Sequence, residues 1–322
     1  MLPLVPAIGY YPDDMMSRSF FTFIAISLAL SAAANGAVAA QMPPASTIAP
    51  PETAAQLLPH KASYDIKLVK ARSGSQIINV TGTMEYSWEP TCEGWVTDHK
   101  FHLAYDYAEN PRMVIESRFS TLESFDGKNF RFFSQRRSNG ELSDTVQGHA
   151  VLFDNGKGGK AIYEQPQAET YNLQPGTVFP IAHTMALLKH AKSNQNFLSV
   201  PLFDGSDAEG PVQVSAILGS QVKQVSLAPM MKNAKDQPGT VNGWPIHMAF
   251  FPVKDLEAVE PNYELRADIL ENGIITDMVI DYDSFSVTQK LKSIESLPKL
   301  NCKAAGKVKK PEQPSAPKAK AQ

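Results

Sequence analysis

His183 and His190 lie seven residues apart in the stretch IAHTMALLKHAKSNQ, where helical spacing puts both on nearly the same face. Such a pair can share a metal or supply a base. No third ligand follows at helix spacing, so the favoured reading is the polar shoulder of a core-packing helix. His99 and His102 (HKFH) fall on opposite faces of a strand, which argues against a shared ion. The run Phe203-Asp204-Gly205-Ser206-Asp207-Ala208-Glu209 holds three acids and suggests calcium; without the Gly and Glu placement of an EF-hand it reads as a solvated turn. Gly156-Lys157-Gly158-Gly159 lacks the Gly-Lys-Ser/Thr of a phosphate loop and precedes a strand, so it reads as a hairpin. There is no Gly-x-Ser-x-Gly elbow. Asp277, Asp281 and Asp283 alternate on one strand face and could act as a glycosidase carboxylate set, but same-face acids are more simply the outward side of a sheet. No catalytic residue, metal site or cofactor is assigned.

The two cysteines, Cys92 and Cys302, take their meaning from the compartment. MMSRSFFTFIAISLALSAAANGAVAAQ has a basic start at Arg18, an apolar run from Phe20 to about Ala33, and small residues at Ala37-Val38-Ala39-Ala40. That is the pattern of a cleaved secretory signal over residues 15–40. Its apolar run, about 14 residues, falls short of the roughly 20 needed to span a bilayer. Residues 1–14 are acidic and contain proline, unlike a signal start, and translation is expected to begin at Met15 or Met16. Export to the periplasm follows, with no transmembrane span after cleavage. In an oxidising compartment an isolated cysteine pair is most simply one disulfide, and neither residue has metal-ligand or Cys-x-x-Cys spacing.

Beyond the signal, residues 41–58 (QMPPASTIAPPETAAQLL) read as a Pro/Ala-rich linker and order is expected from near His60. The period is then two. Ile78, Val80, Met84, Tyr86 and Trp88 alternate with polar residues, as do Tyr64, Ile66 and Leu68. Further strands are expected near Trp95–Tyr105, Arg112–Ser124, Asn129–Arg137, Leu142–Phe153, Ala161–Tyr163 and Glu169–Asn172. Beyond the helix at Pro180 they resume at Phe197–Phe203, Val212–Val222, Gly243–Val253, Tyr263–Leu270, Ile274–Tyr282 and Phe285–Leu291. Asp126-Gly127, Asn139-Gly140 and Asn272-Gly273 are tight hairpin turns, too short for crossover helices. The expectation is one mainly-β domain over residues 59–302: about 14 antiparallel strands in a single curled, open-barrel-like sheet around one substantial helix.

Charge narrows the partners. The chain of 322 residues has a net charge of −3, but the body between Gln41 and Cys302 carries 23 basic and 30 acidic residues. Such a body is a poor match for phosphate backbones, and nucleic-acid binding is disfavoured. Residues 303–322 hold six lysines against Glu312 and read as a solvated, disordered tail.

Four stretches carry a family likeness: HKASYDIKLVKARSGSQIINVTGTMEYSWEPTCEGW, SFDGKNFRFFSQRRSNGELSDTVQGHAVL, PGTVFPIAHTMALLKHAKSNQNFLSVPLFDGSD and YELRADILENGIITDMVIDYDSFSV followed by LPKLNC. Together they resemble the alphaproteobacterial cell-envelope integrity proteins of the EipB type, a domain of unknown function, over about Leu58 to Cys302. The resemblance implies a periplasmic β-spiral similar to the LolA and LolB lipoprotein carriers, with Cys92 and Cys302 matching the family's disulfide. It implies a role in maintaining the envelope without an established enzymatic activity. The Lys-rich tail is additional.

Two functions are weighed. In one the curled sheet binds an envelope protein partner or a lipid-like ligand, with Phe179, Ile181, Met185 and Leu188 facing strand aromatics such as Tyr86, Trp88 and Trp244 as ligand lining or as plain core. In the other the protein is a periplasmic glycan hydrolase using Asp277, Asp281, Asp283 or His183. Oligomeric state is not read from the sequence.

Overall fold

Alternation of apolar and polar residues commits a chain to strands with one buried face, and short Gly-containing turns commit neighbouring strands to antiparallel pairing. The computed structural model describes residues 57–220, 222–232, 239–253 and 260–298. The expected signal and linker up to residue 56, Cys302 and the Lys-rich C-terminal stretch lie outside the described residues.

The first eight strands form a meander: β1 (His60–Ala71), β2 (Ile77–Pro90), β3 (Gly94–Tyr107), β4 (Met113–Ser124), β5 (Asn129–Ser138), β6 (Glu141–Leu152), β7 (Gly159–Gln165) and β8 (Glu169–Leu173). Helix α1 (Pro180–Lys192) follows, and then β9 (Phe197–Leu202), β10 (Val212–Leu218), β11 (Lys223–Ser226), β12 (Thr240–Pro252), β13 (Tyr263–Leu270), β14 (Ile275–Tyr282) and β15 (Phe285–Ser296). Pro180 opens the helix, at a position where its missing N–H costs nothing.

All fifteen strands belong to one sheet, in the order β8-β7-β6-β5-β4-β3-β2-β1-β15-β14-β13-β12-β10-β9, with β11 beside β12. The path is open, ending at β8 and β9. Its middle is the pairing of β1 with β15, which aligns His60 with Ser296 and Ala71 with Phe285. A single sheet buries its apolar face by curling over it, and every long strand here contributes to one core. Tyr64 on β1, for example, donates its hydroxyl to the Ile275 carbonyl on β14, 2.9 Å away. Among the described residues no helix is long and apolar enough to cross a membrane.

Three local expectations are corrected. The single strand expected over Val212–Val222 ends at Leu218, and a short β11 begins only at Lys223; four residues of mixed character carry too little alternation to register. Ile78 does not join the buried face of β2. A register shift between Ile77 and Asn79 makes it an extra residue in the strand and turns it outward, 60% exposed. Met185, expected on the inner face of α1, is only half-buried. The buried stripe runs through Ile181, Thr184, Leu187, Leu188 and Ala191, one position round the helix.

Candidate functional site

The period of two places a column of side chains from each strand inside the curl, and several of those columns contain polar groups. On β4 the inward column runs Ile115, Ser117, Phe119, Thr121 and Glu123, and Phe125 is buried just past its end. Glu123 is a carboxylate in an apolar interior, 1% exposed. It accepts hydrogen bonds from the backbone N–H groups of Ile181 (2.7 Å) and Ala182 (2.8 Å), the first free donors of α1. The sheet thus caps its own helix across 58 residues of sequence. Burial pushes the Glu123 carboxyl up to about 7, although the two amides pull it down.

Phe179, at the helix entry, stacks on Phe130 of β5 at 4.9 Å, and Phe203 packs edge-on against Phe130, Phe132 and Tyr163. Beyond Phe203 the turn enters the interior instead of facing solvent. Asp204, Gly205 and Ser206 are buried, with Gly205 pressed against the Phe132 ring in a left-handed conformation (φ +64°) that favours glycine. The expectation of a solvated turn is therefore wrong. An acid-rich sequence reads as surface, but Asp204 accepts from the Ser206 N–H and its carboxyl is pushed up by burial.

Higher on the same inner face lies a belt of polar rings. His60 pairs with Trp88 across β1 and β2, and Tyr86 pairs with His99 across β2 and β3. Ring centroids lie 5.5 Å apart for His60 and Tyr86, 6.1 Å for His60 and Trp88, and 4.8 Å for Tyr86 and His99. All four are buried. Burial holds His60 down to about 4 and His99 to about 3, so both are neutral at ordinary pH. His60 Nε2, Tyr86 Oη, Trp88 Nε1 and both His99 ring nitrogens have no hydrogen-bond partner among the described residues.

The helix histidines are separated by burial. His183 is buried, not at a polar shoulder, and burial lowers it to about 4. His190 is half-buried, with its Nδ1 2.9 Å from the Ala186 carbonyl. His99 points in and His102 out, as the strand period requires. Among the described residues no group of three or more His, Cys, Asp or Glu is placed to hold a metal ion. The three aspartates face outward. Asp281 bonds to Arg266 and Ser286, which outweigh its partial burial and hold its carboxyl below the usual range. Asp283 pairs with Arg72, and Asp277 is exposed opposite Lys290.

Of the residues expected as lining, Tyr86 and Trp88 meet in the belt, Phe179 and Ile181 meet at the Glu123 clamp, and Leu188 is buried along α1. Trp244 is buried on β12, five strands along the sheet from β2. Glu123, His60 and His99 were not singled out as interior groups. The signal was present, since each is a polar residue on an otherwise apolar alternating column.

The model of the EipB-like family matches residues 51–298, which takes in the whole described domain. The chain belongs to the EipB-like family. It is 34% identical over 272 residues to the cell envelope integrity protein EipB of Brucella abortus, covering 83% of this chain and 94% of that protein. A crystal structure of a β-barrel-like protein of a domain of unknown function from Brucella abortus superimposes with a TM-score of 0.68 at 32% identity, covering 75% of this chain and 99% of that one. The family fold is therefore the open many-stranded sheet described above.

Replacing Glu123 by glutamine tests the clamp through pH. A carboxyl near 7 in the fold and near 4.5 when unfolded binds more protons folded than unfolded between those values, so its destabilising effect grows as pH rises through that window. Wild type is expected to gain about 2–3 kcal/mol relative to E123Q between pH 8 and pH 5, measured by urea unfolding at both. Equal pH dependence in the two proteins would show that Glu123 is not a buried ionisable group.

Proposed function

We propose that this protein supports cell-envelope integrity in the periplasm as a non-catalytic scaffold whose curled sheet holds a lipid-like ligand on its inner face. The observation that carries this reading is the cluster of five buried polar atoms on His60, Tyr86, Trp88 and His99 that have no partner among the described residues. A buried polar atom without a partner costs about 1–3 kcal/mol, which makes a purely structural interior an expensive place for five of them. The similarity to the cell envelope integrity protein of Brucella abortus supports the envelope assignment, and the signal-like N-terminus supports the periplasmic address. Against a glycan hydrolase using these aspartates stands the outward pairing of Asp281 with Arg266 and of Asp283 with Arg72.

A second reading, docking of an envelope protein partner, is favoured by one separate observation. Phe197 on β9 and Ile217 on β10 are cross-strand neighbours on the outer face, each 58% exposed. Beside them a shallow groove of about 380 Å³ is lined by Ile217, Pro245 and Val279 and rimmed by Arg266, Asp268 and Asp277. Native mass spectrometry of protein isolated from the periplasm separates the two. A bound mass removed by organic extraction is expected for the ligand reading. Extract-insensitive mass, with pull-down of an envelope protein that Ile217→Lys abolishes, would replace it with the docking reading.

A further inference from the structure

The sheet ends at β8 on one side and β9 on the other, with no strand ladder joining the two among the described residues. The connection from β9 to β10 spans that gap. It turns into the interior and reaches the β8 side, where the Tyr171 hydroxyl donates to the Ala208 carbonyl at 2.9 Å. A Cβ on Gly210 would stand 3.0 Å from the Tyr171 ring, and Gly205 lies against Phe132 of β5. At the entry to this crossing, Val178 bonds twice to the end of β9. Its N–H donates to the Pro201 carbonyl (3.0 Å), and the Phe203 N–H donates to the Val178 carbonyl (3.1 Å). Gly205 and Gly210 both have left-handed backbones (φ +64° and +94°), so the two bends are made by residues that adopt them without strain. Strand β8 is only five residues long, three of them exposed, and its strand partner is β7. Such an edge opens at less cost than the core.

Two carboxylates ride on the crossing. Asp204 is buried and accepts from the Ser206 N–H (2.9 Å); Asp207 is half-buried and accepts from the Glu209 N–H (2.8 Å). Facing them are Arg136 on β5, Tyr163 on β7, Tyr171 on β8 and Tyr263 on β13, with Glu209 on the crossing itself. Burial pushes the Asp207 carboxyl up to about 7 with help from the Asp204 charge, against the pull of the Glu209 amide and of Arg136. Burial pushes Asp204 up as well, and it keeps Tyr163 and Tyr263 neutral by raising both. Two like charges here repel each other, and each is better solvated outside the curl.

We propose that Asp204–Gly210 is a clasp that closes the open sheet between β8 and β9 and lets go when both of its carboxylates are ionised. Swung into water, the two acids return to the ordinary carboxylate range. Between that range and about 7 the closed form binds more protons than the open one, so opening grows as pH rises through the interval. The clasp works in this way whether or not the interior holds a ligand.

Hydrogen exchange of the full chain, read as protection factors at pH 5 and pH 8, tests the clasp. The reporters are β8, the Asp204–Gly210 segment and the Phe203 amide. Strands β2 and β3, in the middle of the sheet, are the reference, because Glu123 loosens the whole fold in the same direction. From pH 5 to pH 8 the reporters are expected to lose at least about tenfold more protection than the reference, the effect of a single pKa unit or more. Asp207→Asn keeps an oxygen for the Glu209 N–H and removes the charge; it should raise reporter protection at pH 8 and cut the excess. Asp204→Asn with Asp207→Asn should abolish the excess. Tyr171→Phe deletes a tie without touching a charge, so it should lower reporter protection by a similar factor at both pH values and leave the excess in place. An equal loss in reporters and reference in the wild type, which needs no variant to fold, would overturn the carboxylate trigger. So would an excess that survives in the double variant. Reporter protection unchanged by Tyr171→Phe at either pH would overturn the clasp itself.

Discussion

Alanine in place of Trp88 is expected to cost the protein about 3–5 kcal/mol, the range for deleting a large buried aromatic. The indole has no exposed surface and joins parts of the sheet that are not hydrogen-bonded neighbours. It meets Trp95 of β3 edge-on at 5.5 Å. It also lies under the Asn272-Gly273 turn between β13 and β14, where a Cβ on Gly273 would stand 2.7 Å from the ring. Gly273 is fixed twice over, since its φ of +85° also favours glycine. The steric half of that requirement disappears with the indole. A double-mutant cycle of Trp88→Ala with Gly273→Ala should therefore show the second change costing less in the alanine background. Urea unfolding of the four proteins measures it; a loss under about 1 kcal/mol for W88A would mean the ring is not a wedge.

Serine at Cys92 or Cys302 is expected to sharply increase protease sensitivity, read by limited proteolysis. Cys92 sits in the short connection between β2 and β3, and among the described residues no cysteine is free. Cys302 lies outside the described residues, so the bridge is a proposal, and sheet geometry supports it. β15 ends beside the start of β1, where the Leu297 N–H donates to the Pro59 carbonyl at 2.8 Å, and β1 separates it from β2. Two strand spacings are about 10 Å, while five further residues reach about 17 Å. A link between these positions closes a loop of about 210 residues, for which the chain-entropy model gives about 5 kcal/mol as an upper bound. Unchanged proteolysis of both variants would count against the staple.

The strands were legible because most of them are long and have one dry face. Tyr263–Leu270 matches the expected span end to end, and Asn129 begins its strand as expected. What the pattern could not carry was anything set by the far side of the curl. Ile78 has the parity of a core residue and is expelled by a bulge that only the β3 pairing creates. The Phe203–Glu209 run looks solvated by composition, but the Phe132 ring receives its Gly205, and the Tyr171 ring receives Gly210 just beyond it. Glu123 reads as an ordinary strand acid until α1, far away in sequence, presents its amides. Of the seven residues expected as lining or core, six are buried in the one core and Met185 packs against it half-buried.

The seam between β1 and β15 also sets an order of events. The first strand of the domain finds one of its two neighbours only when the last has been made, with partners such as Tyr64 and Leu291 more than two hundred residues apart. Until then a growing chain carries two half-sheets, each with a raw inner edge, and contacts of such long range form slowly. A polypeptide built this way remains threadable until its C-terminal strand emerges. Trimming that strand by a few residues should therefore trap an unjoined, aggregation-prone form instead of merely shortening the protein.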